Sequence, residues 1–287
     1  MNYELSALPA GLYLVATPIG AARDITLRAL DILASADILA AEDTRTLKHL
    51  LSIHGVPLGD RPVLSYHDHS APDIRRRLIS EIAAGRSVAY ASEAGTPMIS
   101  DPGFDLARDV AGAGGLVTTA PGPSAAIAAL TLAGLPTDRF LFAGFLSAKQ
   151  GARRRDLADL AGVGVTVVLY ESPRRVEKLL ADIVDTCGAD RPVALCRELT
   201  KRFEEVQRGP AAEVLARIKA TPPKGEIVVL IGPGAPEEAG EEAILDALRA
   251  LPNDLSLRDA AAEVAERLGA PRRAVYRLAL ALREDQG

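Results

Sequence analysis

The residues able to do chemistry gather in short stretches at the ends of apolar runs. The longest is Ser92-Glu93-Ala94-Gly95-Thr96-Pro97-Met98-Ile99-Ser100-Asp101-Pro102-Gly103, a loop of small, turn-forming and hydroxyl residues with two acids. A strand-to-helix connection needs only about 2–6 residues, so this loop reads as a ligand wall rather than a connector. Glu42-Asp43-Thr44-Arg45 and Ser65-Tyr66-His67-Asp68-His69 end two other apolar runs. Helix caps and turn residues account for Asp101, Pro102, Ser124 and Thr44. They account less well for Glu93, Asp43, Arg45 and His67, because ionisable groups collected at strand ends suggest a polar pocket.

Several other chemistries lack their parts. No strand in the first half is followed by G-x-G-x-x-G, and no G-x-x-x-x-G-K-[ST] occurs, which removes the usual dinucleotide and P-loop sites. His67 and His69 have no further His nearby and no Cys partner, so no metal is expected. No Ser-His-acid set can be assembled from spacing. Arg75-Arg76-Arg77 and Arg153-Arg154-Arg155 read either as solvated helix faces or as phosphate contacts.

Composition narrows the classes further. The 287 residues suffice for two modest domains. A net charge of −5 argues against non-specific coating of nucleic acid, yet leaves room for a local basic face. With 4% aromatics and no Trp, base stacking on exposed rings is not the main mode of binding. Two cysteines, Cys187 and Cys196, make no disulfide framework, and a cytoplasmic location without export is expected. The most apolar stretch, Ala125 to Leu135, is too short to cross a bilayer, so no membrane partner is expected.

The elements that must position these residues alternate in type. Leu12–Ala16, Ile38–Ala41, Val63–His67, Ser87–Ala91 and Val117–Ala120 are apolar runs suited to strands. Helical spacing between them puts Leu27, Leu30 and Leu33 inward after the first, with Asp24 or Thr26 as cap, and Leu47, Leu50 and Leu51 after the second. After the fourth, Asp101 caps a helix with Pro102 at its first position and Phe104, Ala107 and Ala111 inward. Such alternation predicts a mostly parallel sheet with its ligand beyond the carboxyl ends of the strands. A second unit begins near Asp138 and carries strands at Phe140–Phe145, Val165–Tyr170, Val193–Cys196, Glu204–Val206 and Ile227–Ile231, forming a mixed sheet. Ser172 and Pro173 start a helix there. The expected boundaries are 1–136, 137–236 and a helical extension over 237–287. In that extension Arg272, Arg273 and Arg277 lie near the second helix of a helix-turn-helix-like pair.

Taken in order, Ala16–Gly20, Asp24–Thr26, Ala41–Arg45, Ser92–Gly103, Pro121–Ala125, Gly134–Phe140, Tyr170–Arg175, Arg197–Lys201 and Lys224–Glu226 resemble the motifs of one family over nearly the full length. It is the bacterial 16S rRNA (cytidine 2′-O)-methyltransferase family, within the tetrapyrrole methylase superfamily. The resemblance implies an α/β, two-domain tetrapyrrole-methylase-like fold with S-adenosylmethionine in the cleft, commonly as a homodimer. It implies a cofactor wall of Pro18, Glu93, Ala94, Gly95, Thr96, Ile99, Ser124 and Ala125, approached by Tyr170 from the second domain. It implies a 2′-hydroxyl of 16S rRNA, free or in the small subunit, as acceptor in the decoding centre.

A base assisting that weak acid is then sought among Glu42, Asp43, Asp101 and Glu171, with His67 also near, and the choice stays open. Arg45, His67, Lys149, Arg153, Arg154 and Arg174 are the candidates for RNA contact. Three positions depart from the pattern: Glu93 replaces the usual Asp, Ala21-Ala22 the usual Asn-Leu, and Gly232-Pro233-Gly234 a Val-Glu-Gly. Alternative readings are a methylase of a small tetrapyrrole or of a protein, and a ligand-sensing DNA-binding regulator.

Overall fold

A computed structural model describes residues 2–67, 72–99, 103–234, 241–252 and 255–284. Residues 1–233 form one compact unit and residues 234–287 another.

The first sheet contains β1 (Gly11–Val15), β2 (Ile38–Ala41), β3 (Val63–Ser65), β4 (Ser87–Ala91) and β5 (Val117–Ala120), all parallel, in the order β3-β2-β4-β1-β5. Side chains alternate across each strand, so Tyr13, Val15, Leu39 and Ala89 face one layer while Leu12, Leu14, Ile38 and Val88 face the other. Helices α1 (Leu27–Ser35) and α2 (Thr44–Ile53) cover the first face through Leu30, Leu33, Leu47 and Leu51. Helices α3 (Pro72–Ala83) and α4 (Phe104–Gly112) cover the second through Leu78, Leu106 and Val110. These layers follow from βαβ connections, which cover both faces of a parallel sheet.

Two expected helix faces are corrected. Leu27 is exposed, because Thr26 Oγ1 caps α1 by accepting from the Ala29 amide and places Leu27 at its outer first position. Phe104 and Ala111 of α4 are exposed as well; the buried stripe is Leu106, Ala107 and Val110, and the N-cap is Gly103 rather than Asp101. Asp101 itself, like Asp68 and His69, lies outside the described residues.

Helix α5 (Ala125–Ala133) follows β5 but packs on the second sheet, where Ala126, Ala129, Leu130 and Ala133 meet Val168, Ala194, Cys196, Val228 and Leu230. That sheet comprises β6 (Phe140–Gly144), β7 (Thr166–Glu171), β8 (Pro192–Arg197), β9 (Glu205–Pro210) and β10 (Ile227–Ile231) in the order β6-β7-β10-β8-β9. Only its β6–β7 pair is parallel. Helices α6 (Gln150–Ala161), α7 (Val176–Cys187) and α8 (Ala211–Ala220) fill its other face with Leu157, Leu179, Leu180, Ile183, Val214 and Ile218.

Helix α7 begins four residues later than Ser172, after a turn in which the Arg175 amide donates to Ser172 O. Arg153, read as a phosphate contact, is 3% exposed, and its guanidinium pairs with Asp182 of α7, which is 1% exposed. That assignment is corrected: the facing helix α7 carries a buried acid, Asp182, and Arg153 turns inward to pair with it. Arg154 is exposed but spans Asp182 and Asp185.

In the second unit, α9 (Glu241–Arg249), α10 (Leu257–Leu268) and α11 (Arg272–Glu284) enclose Ile244, Leu248, Ala261, Val264, Val275 and Ala279. Ser256 caps α10 by accepting from the Asp259 amide, and Gly269 ends it in a left-handed conformation.

Candidate functional site

Strands β1 and β4 are adjacent, and the loops leaving their carboxyl ends are tied together. The Thr17 amide donates to Gly95 O at 2.9 Å, and the Gly95 amide returns the bond to Thr17 O at 3.0 Å. Ser92 Oγ donates to Gly95 O, and Thr96 Oγ1 donates to Pro123 O at 2.9 Å. The polar residues of the 92–99 loop thus fasten it to the loops after β1 and β5.

Beside these loops lies a cleft of about 380 Å³. From the first-sheet side it is walled by Ile19, Ala94, Gly95, Thr96, Ile99, Ser124 and Ala125. From the second sheet come Tyr170 and Glu171 at the end of β7 with Ser172 and Pro173 after it, Phe145 after β6, Cys196 in β8 with Leu199 after it, and Gly225 and Glu226 leading into Ile227 and Val228 of β10. Tyr170 spans the two sides: its hydroxyl accepts from the Ala126 amide at 3.2 Å, and its ring meets Phe142 and Phe145 edge-on. The wall therefore holds most of the expected cofactor residues. Pro18 and Glu93 are outside it, since Pro18 precedes the wall residue Ile19 and Glu93 turns toward solvent.

Glu171 is buried, yet its carboxylate is incompletely satisfied. Oε1 accepts from the Ser172 amide at 2.8 Å and lies 3.1 Å from Arg175 Nε. Oε2 has no hydrogen-bond partner among the described residues. An unpaired buried acceptor is costly, so a donor arriving in the cleft would relieve it.

The remaining acids are arranged differently. Asp43 caps α2 by accepting from the Arg45 amide at 2.8 Å, and the Arg45 side chain folds back onto it. The Arg45 side-chain hydrogen bond first, then its backbone one, holds the Asp43 carboxyl down to about 2. A carboxylate so stabilised is a poor base. Although Glu93 is exposed, its carboxyl is pushed up by partial desolvation and then by the negative charges of Glu42, Asp43 and Glu226. The structure thus gathers Glu42, Asp43 and Glu93 as expected and adds Glu226, which sequence reasoning left unassigned.

His67 is half-buried in the segment after β3, beside the chain at Glu42: Ser65 Oγ donates to Glu42 O and the Tyr66 amide to Ala41 O. Arg45 and Arg174 are exposed, and Lys149 is the exposed N-cap of α6. The Cys196 thiol is pushed up to about 11 by burial, which makes it a cleft wall rather than a nucleophile. Among the described residues no three His, Cys, Asp or Glu converge on a common metal position.

The lining residues not anticipated are Ile19, Phe145, Ser172, Pro173, Cys196, Leu199 and Gly225–Val228. The Lys224-Gly225-Glu226 motif was the available signal for the last group. The Arg197–Lys201 motif was the signal for Leu199, and nothing local marks Cys196, whose position depends on how the second sheet meets α5.

The cleft suits a cationic small molecule. Its volume falls in the range of about 300–1,000 Å³ usual for such ligands. Glu171, a lining residue, carries an acceptor, Oε2, that is buried and unpaired among the described residues, and the acids around Glu93 supply a negative field. The start of α5, at Ser124 and Ala125, offers the partial positive charge that suits a carboxylate.

Comparison with known proteins follows the same division. Residues 11–215 match the model of the Tetrapyrrole (Corrin/Porphyrin) Methylases, and residues 238–283 match that of the RsmI C-terminal HTH domain. The chain is 45% identical over 288 aligned positions to ribosomal RNA small subunit methyltransferase I of Mesorhizobium japonicum, covering 99% of this chain and 97% of the relative. It is 42% identical to the protein of that name from Escherichia coli O157:H7, covering 96% of each. Among solved structures it resembles a Thermus thermophilus uroporphyrin-III C-methyltransferase complexed with S-adenosylhomocysteine. The TM-score is 0.55 at 20% identity, over 77% of this chain and 97% of the other. A diphthine synthase aligns with TM-score 0.60 at 14% identity, over 77% and 89%.

Proposed function

Because the chain belongs to the tetrapyrrole methylase family, and within it to the ribosomal RNA small subunit methyltransferase I proteins, we propose that it methylates 16S rRNA. The donor is S-adenosylmethionine, and the acceptor is the ribose 2′-oxygen of a cytidine in the decoding centre. The observation that carries the chemistry is Glu171, a buried carboxylate on the cleft wall whose Oε2 lacks a partner among the described residues.

The donor, when bound, supplies a methyl group already activated by the positive charge on sulfur. The chain's task is therefore alignment, exclusion of water and removal of one proton. Ala94, Gly95, Thr96, Ile99, Ser124, Ala125 and Tyr170 would hold the donor. The carboxylates around Glu93 favour its cationic form. Glu171 Oε2 takes the proton from the attacking hydroxyl, while Oε1 stays on the Ser172 amide and Arg175. Asp43 is an α2 cap held by Arg45, which argues against its acting as base. Arg45, Arg174 and Lys149 are left to meet phosphate.

Labelled S-adenosylmethionine, offered with small ribosomal subunits or naked rRNA, tests this reading. The label is expected at one cytidine ribose, resistant to alkaline cleavage of its 3′ bond. Label on a base, on a tetrapyrrole or on protein overturns the acceptor; no label at all overturns the activity. The proposal includes a cytoplasmic homodimer with lobes at 1–136 and 137–236. Sedimentation as a monomer would remove the dimer.

A further inference from the structure

The connection from β8 to β9, residues 198–204, holds two non-glycine residues in left-handed backbone, Glu198 at φ 49° and Thr200 at φ 64°. Such conformations persist only where surroundings enforce them, and they concentrate at ligand clamps. Here the enforcing bonds run to both sides of the cleft.

On the second-sheet side the loop is bound to the start of β10. The Glu198 amide donates to Glu226 O at 3.0 Å, and Glu198 Oε1 accepts from the Glu226 amide at 2.9 Å. Lys201 Nζ bridges Glu198 at 3.0 Å and Glu226 at 2.8 Å. A side chain at Gly225 would overlap the Glu198 carboxylate.

On the first-sheet side one side-chain bond reaches across 179 residues of chain: Thr200 Oγ1 accepts from the Ala21 amide at 3.0 Å. Its neighbour Gly20 is packed so closely that a Cβ there would sit 2.6 Å from Thr200 Oγ1 and Lys201 Cγ. Between these anchors Leu199, 6% exposed, forms cleft wall and packs in one cluster with Ile19. Ile19 follows Thr17, which is paired to Gly95. A continuous path therefore joins Gly95, Thr17, Ala21, Thr200, Glu198 and Glu226.

We infer that the 198–201 loop is a latch that fixes the width of the cleft, with the Thr200 hydroxyl as the positioning residue that preorganises it for a sulfonium methyl donor. The inference rests on the proposed function for the identity of the ligand. Thr200 is not a lining residue of the cleft. It acts by holding the Ile19 turn against Leu199, so that binding need not draw the two walls together.

The test measures donor affinity by titration calorimetry and kcat at saturating donor in full-length Thr200→Val, Thr200→Ser and Gly20→Ala. Val keeps the shape but lacks the hydroxyl. Its affinity is expected to fall about tenfold with kcat changed less than about twofold, because saturating ligand restores the closed arrangement. Ser should recover wild-type affinity, and Gly20→Ala should weaken it as Val does. Exchange at the Ala21 amide should also quicken in Thr200→Val and not in Thr200→Ser.

Wild-type affinity in Thr200→Val, or a Ser variant as weak as the Val one, overturns the latch. Should Thr200→Val not fold, Thr200→Ser and Gly20→Ala decide: unchanged affinity in Gly20→Ala overturns it. If the wild type itself gives no heat with the donor, the reading of the cleft fails instead, and Ala21 exchange alone judges the latch.

Discussion

Replacing Glu171 by Gln separates its charge from its shape. Oε1 accepts from the Ser172 amide at 2.8 Å, and a Gln carbonyl oxygen can keep that bond. Arg175 loses an ion pair but keeps its bond to Leu146 O at 2.7 Å. What disappears is the negative charge shared with the unpaired oxygen, Oε2, whose place is taken by an amide donor unable to take a proton. A positioned general base contributes typically about 10²–10⁴-fold, so kcat should fall by roughly that factor. Donor affinity should move by no more than about threefold, since the wall formed by Gly95, Thr96, Ser124 and Tyr170 is untouched. Single-turnover transfer to small-subunit rRNA isolates the chemical step, and calorimetry supplies the affinity. A variant that keeps kcat within about threefold of wild type refutes the role of Glu171.

Other predictions concern the frame and the acids around it. Asp182→Ala strips Arg153 of its buried partner, leaving its guanidinium with the Ser147 and Ala148 carbonyls among the described residues, and should cost about 3–5 kcal/mol in urea unfolding. The double variant Arg153→Met with Asp182→Leu should recover most of that, and purely additive losses would contradict it. Asp43 should titrate near 2 by carboxyl NMR. Because its folded value is depressed, its stabilisation is present above the unfolded value of about 3.9 and is lost as pH falls through about 2. A midpoint at the ordinary value would contradict the Arg45 pairing. Glu93 has the opposite sign: its carboxyl is raised by partial desolvation and by Glu42, Asp43 and Glu226, so its ionisation weakens folding as pH rises above 4.5. Glu42→Gln should bring the Glu93 midpoint down, and an unmoved midpoint would separate the two residues.

The sequence carried the strands well because their apolar runs are local. Ser87–Ala91 and Val117–Ala120 were bounded as found, and Leu12–Ala16 slipped by one residue. Helix faces were less legible where one turn decides the phase. In α4 the stripe is Leu106, Ala107 and Val110, and Phe104, the largest apolar side chain of its first turn, is exposed. Charge was the poorest guide. Arg153 and Arg154 look alike in sequence, and only Asp182, on a helix paired through the tertiary fold, pulls the first inward. The cleft was half legible: loops after β1, β4, β5 and β7 declare themselves by Gly, Pro and hydroxyl residues. Cys196 and Val228 enter its wall as ordinary strand residues, distinguished only by lying on the face that α5 partly covers.

The central claim is that one cleft, between Gly95, Ser124 and Tyr170, grips the methyl donor. Crystals grown with S-adenosylhomocysteine test it most directly. The account predicts the ligand's density against those three residues, with a polar atom of ligand or ordered water on Glu171 Oε2. Density on another surface, or an empty cleft in crystals of protein saturated with the ligand, would contradict it.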